Sequence, residues 1–301
     1  MDSPAIHLDD LAKYFGPVIG VDGLSLRVER GEIFGFLGAN GAGKTTTIRL
    51  LLDLLRPSRG TAAVLGVDCH RASLAARRLI GYLPGELPIY PDLTAAGYLA
   101  HLRALDGRPV ADGYLAELLR RFDVSDVDLR RRLREQSHGM KQKIGIVQAL
   151  MGRAPVIVLD EPTSGLDPLM AQSFNELVGE LKRGGETTVF LSSHVLGEVE
   201  STCDRIGVIR AGRMVTVGTV DDLRRAAPRR VTVRFAAPPG DIPPVPAVTL
   251  VARGADECVF DVHGPLGPLL QALAPFPIHD VTEQPFRLED AIVRFYAESR
   301  P

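Results

Sequence analysis

Gly38-Ala39-Asn40-Gly41-Ala42-Gly43-Lys44-Thr45 is the stretch on which the fold turns. It has the spacing G-x-x-x-x-G-K-[ST], which is that of a phosphate-binding loop. Glycines let the backbone turn tightly there, so that successive N–H groups point inward at phosphate oxygens. Lys44 supplies a mobile point charge for β- and γ-phosphates, and the Thr45 hydroxyl is placed to ligate Mg²⁺. Ile33-Phe34-Gly35-Phe36-Leu37 reads as a buried strand, and residues 45–55 read as a helix. The phosphates then lie at a helix N-terminus, where the dipole and unpaired N–H groups favour an anion. A nucleoside triphosphate site is expected.

The chain has 301 residues, enough for one sizeable core and a smaller unit. Hydrophobic residues make up 45% and charged residues 24%, ordinary values for a globular protein in water. The net charge of −2 gives no global field toward nucleic acid or a membrane surface. Arginine groups such as Arg130-Arg131-Arg132 read as solvated helix faces, with a membrane-surface or partner role as the alternative. Cys69, Cys203 and Cys258 are scattered, with neither disulfide-framework nor metal spacing. No stretch approaches the ~18–20 apolar residues needed to span a bilayer. A cytoplasmic chain that forms no transmembrane path is expected.

Residues 6–8 and 24–28 read as early strands, the second with the alternation of a half-buried antiparallel edge. Between them Lys13-Tyr14-Phe15-Gly16 reads as a polar turn carrying two aromatics. Phe15 is either a stacking surface for a nucleobase or a packed loop aromatic. Residues 61–65 and 80–83 resume the strand pattern. From Thr94 to Arg134 the pattern is helical with no strand signal, which predicts a helical insertion over about 94–152. Thr94 is its N-cap, although Gly97 stands where a capping box would place Glu. A further helix opens near Gln136-Ser137-His138-Gly139-Met140-Lys141, with Met140, Ile144, Val147 and Met151 on one face.

Val156-Ile157-Val158-Leu159-Asp160-Glu161 is an apolar strand that delivers two carboxylates at its C-terminal end, where ligands sit in open α/β sheets. A helix over 168–183, a strand over 187–191 running into Ser192-Ser193-His194, a helix from Val195 and a strand over 205–209 continue the alternation. At Ala227-Pro228 the character changes to short β-like runs around the Pro-rich residues 238–246, then helices over 266–273 and 288–297. Residues 228–301 are expected to form a separate small α/β domain after a first domain of residues 1–227.

A phosphate loop followed by an apolar strand ending in Asp is the two-part core of nucleotide hydrolases. Asp160 is expected to hold Mg²⁺, directly or through water. Glu161 is expected to polarise a water for attack on the γ-phosphorus. His194, at another strand's C-terminal end, is expected to bond the γ-phosphate and orient that water.

The order of phosphate loop, Ser137-x-Gly139-Met140, Asp160-Glu161, Ser164-Gly165-Leu166-Asp167 and His194 resembles the ATP-binding subunit of ATP-binding cassette (ABC) transporters over residues 6–227. The resemblance implies a P-loop NTPase cassette with a parallel core sheet, an antiparallel β edge and a helical insertion. It implies that Asn40, Gly41, Gly43, Lys44, Thr45 and Thr46 bind ATP as part of a Walker A loop. It further implies that Asp160 closes the Walker B strand, that Glu161 is the catalytic base and that His194 is the switch histidine. Phe15 is the adenine-stacking aromatic on this reading, with Tyr14 beside it. Ser137, Gly139 and Met140 resemble the signature motif, which completes the γ-phosphate site of a second cassette, and Asp167 lies in the segment that crosses the dimer interface.

Two positions depart from the family pattern. His138 replaces the signature's second Gly, and Gly85 replaces the Gln that touches Mg²⁺ and reports on the membrane subunit. Glu86 either takes over that contact or faces solvent while water fills the Mg²⁺ shell. The tail from Phe286 to Tyr296 is similar to those of exporter-type subunits of the daunorubicin and multidrug kind. An ATPase that powers a separate integral membrane permease is expected, working as a homodimer or paired with a related cassette. It would sit peripherally on the inner face of the membrane and bind no nucleic acid. A soluble cassette acting on ribosomes or DNA would generally carry two cassettes or a long coiled coil. A non-catalytic regulator would lack the base or the switch residue.

Overall fold

The computed structural model describes residues 3–87, 90–108, 111–185, 187–226 and 228–284. It divides into two compact units, Met1–Val217 and Gly218–Pro301. The division falls ahead of the expected junction at Ala227-Pro228. The last expected helix and the exporter-like tail lie outside the described residues.

The first unit begins with β1 (Ile6–Phe15) and β2 (Val18–Val28), an antiparallel hairpin. β3 (Ile33–Leu37) leads into the phosphate loop and α1 (Lys44–Leu51). Then come β4 (Arg59–Val64), β5 (Val67–Asp68), α2 (Ser73–Arg77) and β6 (Ile80–Leu83). The helical insertion is α3 (Ala95–Asp106), α4 (Asp112–Arg121), α5 (Asp126–Arg130) and α6 (His138–Met151). β7 (Val156–Asp160), α7 (Pro168–Gly184), β8 (Thr188–Ser193), α8 (Leu196–Thr202), β9 (Arg205–Arg210) and β10 (Arg213–Thr219) follow.

Two sheets build this unit. One is antiparallel in the order β2-β1-β4-β5, and the other runs β10-β9-β3-β8-β7-β6 with β9, β3, β8, β7 and β6 parallel. Strands β3 and β7 are buried at every residue, as a strand covered on both faces must be, which explains their unbroken apolar runs. In the core Phe34 stacks on Phe190 with ring centroids 5.8 Å apart, and Phe36 meets Phe190 tilted at 5.3 Å. Ile48 and Leu51 of α1 and Leu8, Leu24 and Leu26 of the hairpin join the same core. Burying one such side chain stabilises the fold by about 1.5–3 kcal/mol.

Register places the chemistry. β8 lies between β7 and β3, pairing Asp160 with Ser192 and Leu37 with Ser193. The phosphate loop, the two acids and His194 therefore all leave the sheet at one edge.

The structure corrects several local expectations. Residues 13–15 do not form a polar turn. They extend β1, with Tyr14 paired to Ile19 and Phe15 to Val18, because Val18-Ile19 supplies a β-forming partner run. α1 stops at Leu51 rather than residue 55, where Asp53 adopts a left-handed φ of 54°. The long helical pattern breaks into separate helices, and Thr94 does cap the first, accepting the Gly97 N–H at 3.1 Å. The short β5 and α2, and β10, were not expected from the sequence.

The second unit holds α9 (Val220–Ala226), β11 (Arg229–Phe235), β12 (Val248–Arg253), β13 (Glu257–Val262), α10 (Gly267–Leu273) and β14 (Ile278–Glu283). Its antiparallel sheet has the order β12-β13-β11-β14. Val231, Val233, Phe260 and Val262 form its own core with Leu269 and Leu273 of α10. β14 is exposed at all its residues, which explains why no apolar alternation announced it. The three cysteines are buried and free.

Candidate functional site

Gly43 has φ 114° and caps α1, and a Cβ there would lie 2.7 Å from the Gly20 carbonyl oxygen. Only glycine fits a position both left-handed and closely approached. Its conformation turns the loop so that Lys44 opens the helix. Lys44 is buried, and its Nζ donates to the Gly38 carbonyl at 2.6 Å. The same ammonium lies 3.2 Å from Glu161 Oε1. Asn40 and Gly41, at the crest of the loop, are exposed.

Thr45 Oγ1 donates to Asp160 Oδ2 at 3.0 Å, and Ser192 Oγ donates to Asp160 Oδ1 at 2.5 Å. Asp160 is 2% exposed, so these bonds fix a carboxylate that water scarcely reaches. Next to it, Glu161 Oε2 lies 2.6 Å from His194 Nδ1. Lys44, Thr45, Asp160, Glu161 and His194 thus form one connected group.

The donor set fits Mg²⁺. The hydroxyl of Thr45 and the carboxylate of Asp160 are hard oxygen donors within hydrogen-bond distance of each other. Among the described residues no cluster of three or more His, Cys, Asp or Glu could hold a metal. Mg²⁺ at nucleotides needs only one or two carboxylates, because phosphate oxygens and water complete its shell. Gly85 borders the same spot, for a Cβ there would lie 3.4 Å from Asp160 Oδ2. Glu86 is exposed, and among the described residues no hydrogen bond or ion pair joins it to Asp160 or Thr45. Tyr82, on the neighbouring β6, has its phenol pushed up to about 12, first by burial and then by the Asp160 charge.

Phe15 is 45% exposed, with Lys13 Nζ 5.4 Å from its ring centroid. Gly20 makes room for that ring: a Cβ there would stand 2.8 Å from Phe15 Cε2 and 3.1 Å from Thr46 Cγ2. An open aromatic face therefore sits beside the first turn of α1. Tyr14 points elsewhere, donating to Asp22 at 2.6 Å. That bond first, and then the Arg213 guanidinium, hold the Asp22 carboxyl below the ordinary range.

A second group lies at the start of α6. Ser137 caps the helix, its Oγ accepting the Met140 N–H at 3.2 Å. A Cβ on Gly139 would lie 2.8 Å from the Gly165 carbonyl oxygen, and one on Gly165 only 2.4 Å from His138 Cδ2. The signature-like turn and the segment around Gly165 therefore pack directly on each other. Asp167 caps α7 by accepting the Met170 N–H at 3.0 Å. Among the described residues no hydrogen bond or ion pair joins Ser137, Gly139, Met140 or Asp167 to Lys44, Thr45 or Asp160.

Sequence reasoning missed Ser192 and Gln142. Ser192 is fully buried against Asp160, and Gln142 is 2% exposed with its amide on the Glu161 and Pro162 carbonyls. A serine closing an apolar strand, two residues before His194, was the available signal for the first. Gln142 acts on backbone and left no pattern.

The arrangement can grip a triphosphate on backbone N–H groups and Lys44, hold a hard cation at Thr45 and Asp160, and direct a water through Glu161 and His194. Residues 21–164 match the ABC transporter family. The daunorubicin resistance ATP-binding protein DrrA3 of Streptomyces coeruleorubidus is 41% identical over 74% of this chain and 71% of its own length. The chain belongs to the ABC transporter ATP-binding proteins. The bacitracin transport ATP-binding protein BcrA of Bacillus licheniformis is 34% identical to this ABC cassette, over 74% of the chain and 72% of that protein. A solved ATP-binding subunit of an ABC transporter superposes with a TM-score of 0.67 at 32% identity, covering 73% of this chain and 92% of that one. A dimeric cassette in a post-hydrolysis state with ADP and Pi shares the fold, with a TM-score of 0.64 at 20% identity over 71% of this chain and 98% of its own. The cassette is an ATPase, binding ATP and hydrolysing it to ADP and phosphate.

Proposed function

We propose that this cassette works in pairs on a separate integral membrane permease and powers export. ATP is held between two cassettes, each supplying Lys44, Thr45, Asp160, Glu161 and His194 to one nucleotide and Ser137, Gly139 and Met140 to the other. The observation that carries the pairing is the separation of those two groups within one chain. Among the described residues the signature-like helix start, capped by Ser137, has no hydrogen bond or ion pair to the phosphate loop it would complete. Without that second set of donors the transition-state charge is incompletely neutralised, so hydrolysis waits for the pair.

Within one site, Lys44 and the loop N–H groups bind and orient the phosphates. Thr45 and Asp160 would hold Mg²⁺, which would supply charge neutralisation to the phosphates. Glu161 accepts the proton of the attacking water, and His194 orients that water from the next strand. Phe15 offers its exposed face to adenine, and Asp167 contacts the partner cassette.

Three features support the membrane assignment. Among the described residues no helix is long and apolar enough to cross a bilayer, and the path across it is assigned to a separate permease. The helical insertion carries a largely apolar depression of about 550 Å³, lined by Leu99, Leu115, Leu119 and Leu129 together with Arg103. Such a groove suits an amphipathic cytoplasmic helix of a permease. Two relatives are named for daunorubicin resistance and bacitracin transport, which supports a transport role with a preference for export. The cassette then resides on the inner face of the membrane and needs no nucleic acid.

Affinity purification of the full chain from detergent-solubilised membranes tests this reading. Recovery of a hydrophobic integral membrane protein, reduced by Leu119→Asp, is expected. Recovery of the chain from the soluble fraction alone, with no membrane protein attached, would contradict it.

A further inference from the structure

Glu161 has φ 53°, in the left-handed region that a residue with a side chain avoids. Its direction at the strand end depends on that conformation. With it, the carboxylate reaches both Lys44 and His194; an ordinary φ would swing the side chain off that line. The surroundings must therefore hold the backbone in place, and two buried side chains meet it from opposite sides.

On one side is Ser192 of β8. The Glu161 N–H donates to the Ser192 carbonyl at 3.1 Å and to Ser192 Oγ at 3.3 Å. Because the Ser192 hydroxyl gives its own proton to Asp160, its lone pairs are left to face that N–H. On the other side is Gln142 of α6. Its Nε2 donates to the Glu161 carbonyl at 3.2 Å and to the Pro162 carbonyl at 2.9 Å, so both amide hydrogens are used. Carbonyl partners fix which end of the amide is nitrogen. Both residues are shut off from water, at 0% and 2% exposure.

We propose that Gln142 and Ser192 are positioning residues for hydrolysis, clamping the Glu161 backbone in its left-handed conformation. The clamp rests on the reading of Glu161 as the base. It also joins two parts of the cassette. Gln142 lies on the helix that Ser137 caps, so a displacement of α6 is transmitted to the base of the same chain. Ser192 ties the base to Asp160, so the metal-holding and water-directing carboxylates keep one relative orientation.

The test uses the full chain and four substitutions. Gln142→Met fills the same slot without a donor, Ser192→Ala removes the hydroxyl, and Ser192→Thr restores it. Gln142→Met and Ser192→Ala should each lower kcat roughly 10- to 10²-fold, the scale of misplacing a catalytic group. KM and the Kd of a fluorescent ATP analogue should stay as in the wild type, and Ser192→Thr should recover most of the activity. The fourth, Glu161→Gly, gives a readout independent of turnover. Glycine adopts a left-handed φ without strain, so the fall in Tm caused by Gln142→Met should be smaller in the Glu161→Gly chain than in the wild type. Equal falls in Tm in both backgrounds, or unchanged kcat in Gln142→Met and Ser192→Ala, would overturn the clamp. A separate Glu161→Gln chain with near wild-type turnover would overturn the base reading, while the Tm comparison would still report on the clamp.

Discussion

Lys44 Nζ and Glu161 Oε1 are 3.2 Å apart, which couples the cation of the phosphate loop after β3 to the acid at the end of β7, with β8 between the two strands. The ammonium side chain is 7% exposed and the carboxylate 21%, so water screens this pair poorly. A γ-phosphate drawing Lys44 toward itself also changes the field at Glu161. With Glu161 as the proposed base, this pair would link phosphate binding to its activation electrostatically.

Lys44→Ala should lose ATP hydrolysis by at least about 10²-fold, the order seen when one preorganised donor to transition-state charge is removed. Lys44 is the sole cation of the loop 38–45. ATP affinity, measured by isothermal titration, should fall as well.

Position 85 separates two kinds of metal shell. Gly85 leaves the flank of Asp160 without a side chain, and Glu86 beside it is exposed. If Glu86 swings onto the ion or its water, Glu86→Ala should raise the Mg²⁺ concentration giving half-maximal ATPase activity. Gly85→Gln in that background should recover part of the loss. An unchanged Mg²⁺ titration would remove Glu86 from the metal site.

Glu32 immediately precedes the first strand of the parallel sheet and accepts the Glu29 N–H at 2.6 Å and the Arg205 guanidinium at 3.1 Å. Burial nevertheless raises its pKa above the usual 4.5, outweighing those two bonds. A raised folded value means that its contribution to stability is full below the unfolded pKa and is lost as pH rises through the folded one. Glu32→Gln keeps an oxygen acceptor and removes the charge. Its Tm relative to the wild type should improve from about pH 4 to about pH 7, and a difference independent of pH would contradict this.

The phosphate loop, Asp160, Glu161 and His194 were legible because each is announced by its own few neighbours: glycines before Lys44, an apolar run before Asp160. Sheet register then converts that local order into one site, pairing Asp160 with Ser192 and Leu37 with Ser193. Gln142 was illegible because it reaches across 19 residues of sequence to a carbonyl, and backbone carbonyls carry no residue signal. Phe15 was misplaced in a turn because the pairing of Tyr14 and Phe15 with Val18-Ile19 is a tertiary gain that local polarity concealed. β14, fully exposed at a sheet edge, had no buried face to impose a pattern.

The second unit has its own core, so a chain cut after Ala227 should keep a folded cassette. That cut retains all of β10, which ends at Thr219. A single cooperative thermal transition is expected; insolubility of the shortened chain would show that the two parts depend on each other.

The central claim is that Glu161 drives hydrolysis within a pair of cassettes, and Glu161→Gln tests it most directly. Glutamine preserves shape and hydrogen bonding but cannot take the proton, so turnover should fall roughly 10²- to 10⁴-fold while ATP still binds. Size-exclusion chromatography with Mg²⁺ and ATP should then show this variant as a dimer. A variant that elutes as a monomer with ATP and turns over near the wild-type rate would contradict the account.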